Sequence, residues 1–459
     1  MVFANEAVDI HSTFVLQKRP FGRITNRTSK YLYGPQLITS AGYPCEHHRV
    51  TTTDGYILQI HRIPAGRRAA RRAGDNAKGK RPVLVVHGLL GSSGDFVIMG
   101  PERSLGYILA DEGYDVWLGN LRGNDYTSHE NLTKSDAEFW NFSFHEHGGH
   151  DVTAIIDKVL NVTGLPRLFY VGYSMGTTSF FTMMSQRPEY NDKVVAFVAL
   201  APAVYLNNIR PLAEMGLRTY NLTGMFRSQG IHYLSIPRDL METLASGICN
   251  VRRREDDVCM RLVYSILGED YEQNDWDMTP VILARMQPAS LRQLEHFGKI
   301  AITGVFTEWN NGILTPPKLY SLKNVRRPVA LFYGKNDKLT EKEVKQHMAN
   351  KKHKTKTEMG KFSGLLQKVF PPTSGLSSPS NEDTSVTAAE LATTYHSVKH
   401  NLSYNSQDYL LYSIPNGKFI YVYPPHVAVG GGSFETIDDG ALIRRRCLAA
   451  EKFEATGLS

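Results

Sequence analysis

Long apolar runs are missing from this sequence. None reaches about 18 residues, the length a helix needs to cross a bilayer, so a transmembrane helix is not expected. Cysteine is scarce, with 4 in 459 residues, which excludes a disulfide scaffold. None of Cys45, Cys249, Cys259 and Cys447 stands in a CxxC pair, so the usual zinc spacing is absent too. Cys249 and Cys259 enclose the polar segment NVRRREDDV and could close a local loop in an oxidising compartment. The N-terminus, MVFANEAVDIHSTF, lacks the basic start and the apolar run of about 7 to 15 residues of a secretory signal. NxS/T sequons at Asn26, Asn131, Asn141, Asn161, Asn221 and Asn401 point the other way, toward the secretory route. Two readings meet the conflict, an intracellular protein with idle sequons and a chain whose first exon is absent, and the second is the one expected. An evenly spread basic charge is also lacking. The net charge is +7, yet residues 66–81 carry seven basic side chains against Asp75 alone, so one solvated loop holds +6 of it. No nucleic-acid partner is expected.

What the sequence has is a strand–helix alternation. HRVTTTDGYILQIHRIP, from His48, reads as two short strands around an Asp54-Gly55 turn. RPVLVVHG, DVWLGN and RLFYVGY are short, continuously apolar runs of the kind found in parallel strands covered on both faces. SLGYILADEG and DVTAIIDKVLNVTG are helix-like segments between them, and VVAFVALAP and RPVALFYG add two more strands. The pattern predicts an α/β protein with a mostly parallel, doubly wound sheet. The alternation fails over 203–320, a segment rich in aromatic residues and methionine with short helical pieces such as LRQLEHFGKI, which reads as a lid or cap inserted at the carboxyl end of the sheet. The partition expected is a core over 35–202, a cap over 203–320, an acid-bearing core strand over 321–355, and a linker with an atypical tail over 356–459. Within that tail DYLLYSIPNGKFIYVYPP alternates around Asn416-Gly417 as a hairpin does, without resembling the end of a doubly wound sheet.

The chemistry-bearing stretch is VGYSMG at 171–176, a serine between glycines that follows a buried strand and precedes the helix-like TTSFFTMMSQRPEY. A nucleophile elbow needs this strand, sharp turn and helix, with Gly172 and Gly176 letting neighbouring backbone pass without a Cβ clash. The bland alternative is a turn serine in some other α/β protein. Acyl transfer also needs donors aimed at an oxyanion. HGLLGSS, starting at His87, supplies the N–H of Leu89, and the N–H of Met175 is the second candidate.

HGLLGSS, GYDVWLGNLRGNDYT, EFWNFSFHEHGGHDVTAIID and GYSMG, in this order and spacing over about 43–344, resemble the acid lipase family, the gastric and lysosomal acid lipases and their relatives. That resemblance implies an α/β-hydrolase fold with a helical cap, hydrolysis of fatty-acid esters of glycerol or sterols at a lipid–water interface, no cofactor, and a secreted or lysosomal setting. The family usually carries His-Ser-Gln in its elbow. Tyr173 and Met175 stand here instead, so the Met175 side chain is expected to make no amide contact while its backbone donor survives.

A triad acid follows a later strand, and LFYGKNDKLT places Asp337 there. The bland reading is an aspartate that shapes a turn. The family's N-H-x-D-F base motif is not found. His347 and His353 fall in a polar, helix-like run, and VKHNLSY makes His400 the nearest match, ahead of His396. Two readings stay open: a Ser-His-Asp ester hydrolase using Ser174, Asp337 and His400, and a catalytically impaired lipase-like lipid binder. His145, His147 and His150 in FHEHGGHD imitate a metal cluster, but the resemblance places them at a surface helix start, predicting solvated histidines. Trp276, Trp309, Met278 and Met286 line either an acyl channel or the cap's own core.

Overall fold

The computed structural model describes residues 33–67, 79–235, 278–309 and 317–332, the single positions 261, 264, 265, 267, 268, 337 and 339, and strands at 356–359, 409–413 and 419–423. The strands are β1 (Glu46–Thr51), β2 (Tyr56–Ile63), β3 (Pro82–Val86), β4 (Asp115–Gly119), β5 (Thr127–His129), β6 (Leu168–Tyr173), β7 (Val194–Leu200), β8 (Tyr233–Leu234), β9 (Ala289–Ser290), β10 (Val329–Phe332), β11 (Lys356–Met359), β12 (Tyr409–Ser413) and β13 (Phe419–Tyr423). The helices used below are α1 (Gly34–Ser40), α2 (Leu105–Asp111), α3 (Thr153–Thr163), α4 (Met175–Gln186), α5 (Leu222–Ser228) and α6 (Leu291–Thr303).

One sheet runs in the order β1-β2-β4-β3-β6-β7-β10-β13-β12-β11, with β5 beside β2. Pairing is parallel from β4 through β13 and antiparallel at both ends. β3 and β4 are buried along their whole length, which is why they read as apolar runs, the charged Asp115 at the start of β4 accepting from Arg62 Nε at 2.7 Å. Alternate residues feed two cores. Leu84, Val86, Leu168 and Tyr170 face one, together with Ile155 and Val159 of α3 and Phe180 and Phe181 of α4. Val83, Val85, Phe169 and Val171 face the other, with Leu37 of α1 and Tyr107 and Leu109 of α2. Helices therefore cover both faces, the doubly wound arrangement expected. The Asp54-Gly55 turn joins β1 to β2 as expected, with Gly55 at φ 90°.

Two expectations are corrected. First, the tail hairpin joins the main sheet: β13 pairs in parallel with β10 (Val329 opposite Phe419), and β12 pairs back on β13. An uncovered β10 edge would leave a row of N–H and C=O groups unpaired, and β13 satisfies them. Second, FHEHGGHD is not a solvated helix start. It forms a helical turn and then a π-helical stretch, His147–Val152, in which His147 is fully buried. Gly148 makes this possible, since a Cβ there would sit 2.7 Å from Met183 N in α4. Of the residues offered to an acyl channel or to the cap's own core, Met278 is buried in the second core, and Trp309 lies against Lys299 Nζ, 3.7 Å from the ring centroid.

Between β7 and β10 the chain leaves the sheet. α6 is held at its start by a capping box, in which Ser290 Oγ accepts from Arg292 N–H at 3.0 Å and Gln293 Oε1 accepts from Ser290 N–H at 2.9 Å. It is held to the core by His296, whose ring stacks on Phe144 at 3.9 Å and whose Nδ1 meets Ser143 Oγ at 3.0 Å. The basic loop over 68–78, the Cys249–Cys259 segment, Trp276, and the sequons at Asn26 and Asn401 lie outside the described residues.

Candidate active site

β6 ends at Tyr173 and α4 begins at Met175, so Ser174 alone makes the turn, at φ 50° and ψ −114°. A non-glycine residue at such a φ costs about 1–3 kcal/mol and persists only where its surroundings over-determine it. Here Ser174 N–H donates to Leu200 O of β7 at 2.8 Å, and Ser174 O accepts from Thr177 N–H at 2.8 Å. The flanking glycines are sterically required. A Cβ at Gly172 would lie 2.7 Å from the carbonyl carbon of Gly176, and one at Gly176 would lie 2.4 Å from Val86 O. Met175 opens α4, so its N–H has no carbonyl one turn back to bond with and sits at the positive end of the helix dipole.

The loop after β3 passes directly against this turn, a Cβ on Gly88 falling 3.1 Å from Ser174 Cβ. Its conformation is fixed by His87, which is buried beneath it. His87 Nε2 accepts from Leu121 N–H at 3.1 Å, so its proton is on Nδ1, which donates to Gly88 O at 2.8 Å. Burial pushes this imidazole down to about 4, keeping it neutral. Gly88 O also accepts from Gly91 N–H at 3.2 Å, closing a tight turn in which Leu90 adopts φ 60°. In a trans peptide the N–H points opposite to the C=O. With Gly88 O turned toward His87 and Gly91, the N–H of Leu89 is turned the other way, and among the described residues it has no carbonyl partner.

The Asn-rich block between β4 and β5 supports this loop. Asn120 Oδ1 accepts from Ser93 N–H at 2.8 Å, and Asn124 Nδ2 donates to Asn120 Oδ1 at 2.9 Å. Between them Arg122 is buried, bonding Asp151 through Nε at 2.8 Å and Asp54 through both terminal nitrogens at 2.6 and 2.9 Å, with its guanidinium 3.9 Å from the Tyr56 ring centroid. Against the cost of burial, the Arg122 bonds and charge hold the Asp54 carboxyl down to about 2. The block's physical role is to hold the loop after β3 that runs against Ser174.

Asp337 follows β10, and Ser174 follows β6, two positions away in the sheet, so both stand at the carboxyl ends of parallel strands on one edge. Asp337 Oδ1 accepts from Leu339 N–H at 2.8 Å. Tyr173, beside the serine, feels it: protein around the phenol, then the charges of Asp95 and Asp337, push that hydroxyl's pKa up. Tyr173 as a whole is 46% exposed. Asp95 is itself exposed, and its Oδ2 accepts from Ser92 N–H at 3.1 Å. The Met175 side chain, expected to make no amide contact, accepts from Gln293 Nε2 of α6 at 3.3 Å on its sulfur, because a thioether is itself a weak acceptor. His400, with His347, His353 and His396, lies outside the described residues.

Comparison with known proteins fits this geometry. The family profile described as "alpha/beta hydrolase fold" matches residues 81–365, and the "partial alpha/beta-hydrolase lipase region" matches 35–100. Lipase 1 of Drosophila melanogaster is 39% identical over 320 residues, spanning 66% of this chain and 67% of that protein. Gastric triacylglycerol lipase of Bos taurus is 34% identical over 336 residues, spanning 70% and 82%. Lipase member K of Homo sapiens is 34% identical, spanning 66% and 77%. The chain belongs to the α/β-hydrolase fold family and, within it, to the acid lipases, a group of ester hydrolases.

Proposed function

We propose that this chain hydrolyses lipid esters, with triacylglycerol as the leading substrate and steryl esters next, by a Ser-His-Asp acyl-enzyme route. Ser174 Oγ attacks the acyl carbonyl, giving a tetrahedral oxyanion that the N–H groups of Leu89 and Met175 receive. A histidine takes the serine proton and returns it to the leaving alcohol, and water then releases the fatty acid. Asp337 orients that histidine, and His400 is its candidate. No cofactor takes part. The division into a core, a cap over 203–320 and a tail over 356–459 belongs to the same reading, as does a secreted or lysosomal setting with glycans on exposed sequons such as Asn131 and Asn161.

The observation that carries the proposal is the strained backbone of Ser174 set against the Gly88–Leu89 peptide. The name of the bovine relative, a triacylglycerol lipase, supports the substrate class. The test is release of fatty acid from emulsified triolein and from cholesteryl oleate by wild type, Ser174→Ala, Asp337→Asn and His400→Ala. The proposal expects wild-type release that falls by about 10³-fold or more in the serine and histidine variants. A folded wild type that binds triolein vesicles without releasing fatty acid would instead make it a lipid binder, and an unaffected His400→Ala would move the base elsewhere.

A further inference from the structure

The segment leading from the residues after β7 back to α6 crosses the Ser174 edge at Arg285–Pro288, and Gln287 there is 7% exposed. Its N–H donates to Leu90 O at 2.8 Å. Its side-chain Oε1 accepts from Asp125 N–H at 3.1 Å, and its Nε2 donates to Arg285 O at 2.9 Å. Gln287 thus ties the loop after β3, which runs against Ser174, to the loop after β4. Arg285 lies over the first of them, so that a Cβ on Gly94 would meet its Nη2 at 2.9 Å.

The bond to Leu90 matters for where it leads. Leu90 O belongs to the same peptide as Gly91 N–H, and that N–H donates to Gly88 O. Gly88 O in turn belongs to the same peptide as Leu89 N–H. Three peptides are therefore in series, from Gln287 N–H through Leu90–Gly91 to Gly88–Leu89, and the last free donor is the one turned away from His87. Peptide groups in such a series polarise one another, strengthening each bond by perhaps 10–30%. The series also holds Leu90 at φ 60°, a conformation the turn needs and a leucine does not favour.

We propose that Gln287 is a positioning residue for the oxyanion donor: it docks the 285–288 arm so that the Leu89 N–H is aimed and polarised, and the hole is complete only while that arm is seated. This deepens the hydrolase reading and rests on it. The Gln287 side chain bonds Asp125 and Arg285 and acts through the loop, so the proposal puts its effect in the transition state rather than in substrate binding.

The test compares wild type with Gln287→Met, which keeps volume and removes both side-chain contacts, and with Gln287→Glu, which keeps an acceptor for Asp125 N–H and removes the donor. Each is assayed with the soluble ester p-nitrophenyl butyrate and with an alkyl trifluoromethyl ketone. That ketone takes the Ser174 Oγ, the serine proton passes to the base, and the carbonyl oxygen becomes an oxyanion. The proposal expects kcat to fall roughly tenfold in Gln287→Met, against about 10²–10³ for outright loss of an oxyanion donor. KM should stay within about twofold, and the inhibitor Ki should rise by the same factor as kcat falls. Gln287→Glu should lie between, at roughly threefold. Unchanged kcat and Ki, or a change confined to KM, would overturn it. If Gln287→Met does not fold, Gln287→Glu decides: a Ki raised less than about twofold overturns the proposal. A wild type that neither cleaves the ester nor binds the ketone would count against the hydrolase reading itself, a different result from variants that match an active wild type.

Discussion

The strain at Ser174 gives a prediction in which loss of activity accompanies a gain in stability. Ser174 stands at φ 50° and ψ −114°, outside the wells open to residues with a Cβ. Replacing it with glycine removes that Cβ and with it a conformational cost of about 1–3 kcal/mol. Against this stands the extra chain entropy of glycine, about 0.5–1 kcal/mol. Mid-range values leave a net stabilisation of about 1 kcal/mol, or roughly 1–2 °C in Tm for a domain of about 300 residues. Alanine keeps the Cβ and the strain, so Ser174→Ala should melt close to wild type. Scanning calorimetry on the three proteins at one pH makes the comparison, with inactivity of both variants toward p-nitrophenyl butyrate as the control. If Ser174→Gly melts at or below Ser174→Ala, the turn stores no strain and the argument from its φ fails.

Other outcomes follow from the same geometry. Gly176→Ala should not yield soluble protein, because its Cβ would lie 2.4 Å from Val86 O inside β3 with no flexible side chain to move; a folded variant with wild-type Tm would refute the close approach. Arg122→Met leaves the fully buried Asp151 without its cation and should cost about 3–5 kcal/mol, read from the urea midpoint, and a loss under about 1 kcal/mol would contradict the pairing.

Much of this arrangement is legible in the sequence, for a definable reason. β3, β4 and β6 announce themselves because a strand covered on both faces must be apolar throughout, and the Ser174 turn does so because only glycine fits at 172 and 176. Asn416-Gly417 marks the tail hairpin by local turn chemistry. That β13 then pairs with β10, more than eighty residues earlier, has no local signal, and the tail reads as a separate piece. His147 reads as polar and solvated because its burial depends on α4 packing over Gly148. The site divides in the same way. Ser174, Leu89 and Met175 follow from short motifs, while Gln287 and Gln293 were missed: their partners Leu90, Asp125 and Met175 lie far away in sequence, and glutamine in a helix-like stretch carries no hint of them.

The central claim is that Ser174 is an activated nucleophile, and covalent labelling tests it most directly. The full chain is treated with a fluorophosphonate and digested, and the modified residue is located by mass spectrometry, with Ser174→Ala as the blank. The account predicts near-stoichiometric phosphonylation of Ser174 and none in the variant. A folded wild type that stays unlabelled, or one labelled at another serine, would contradict it.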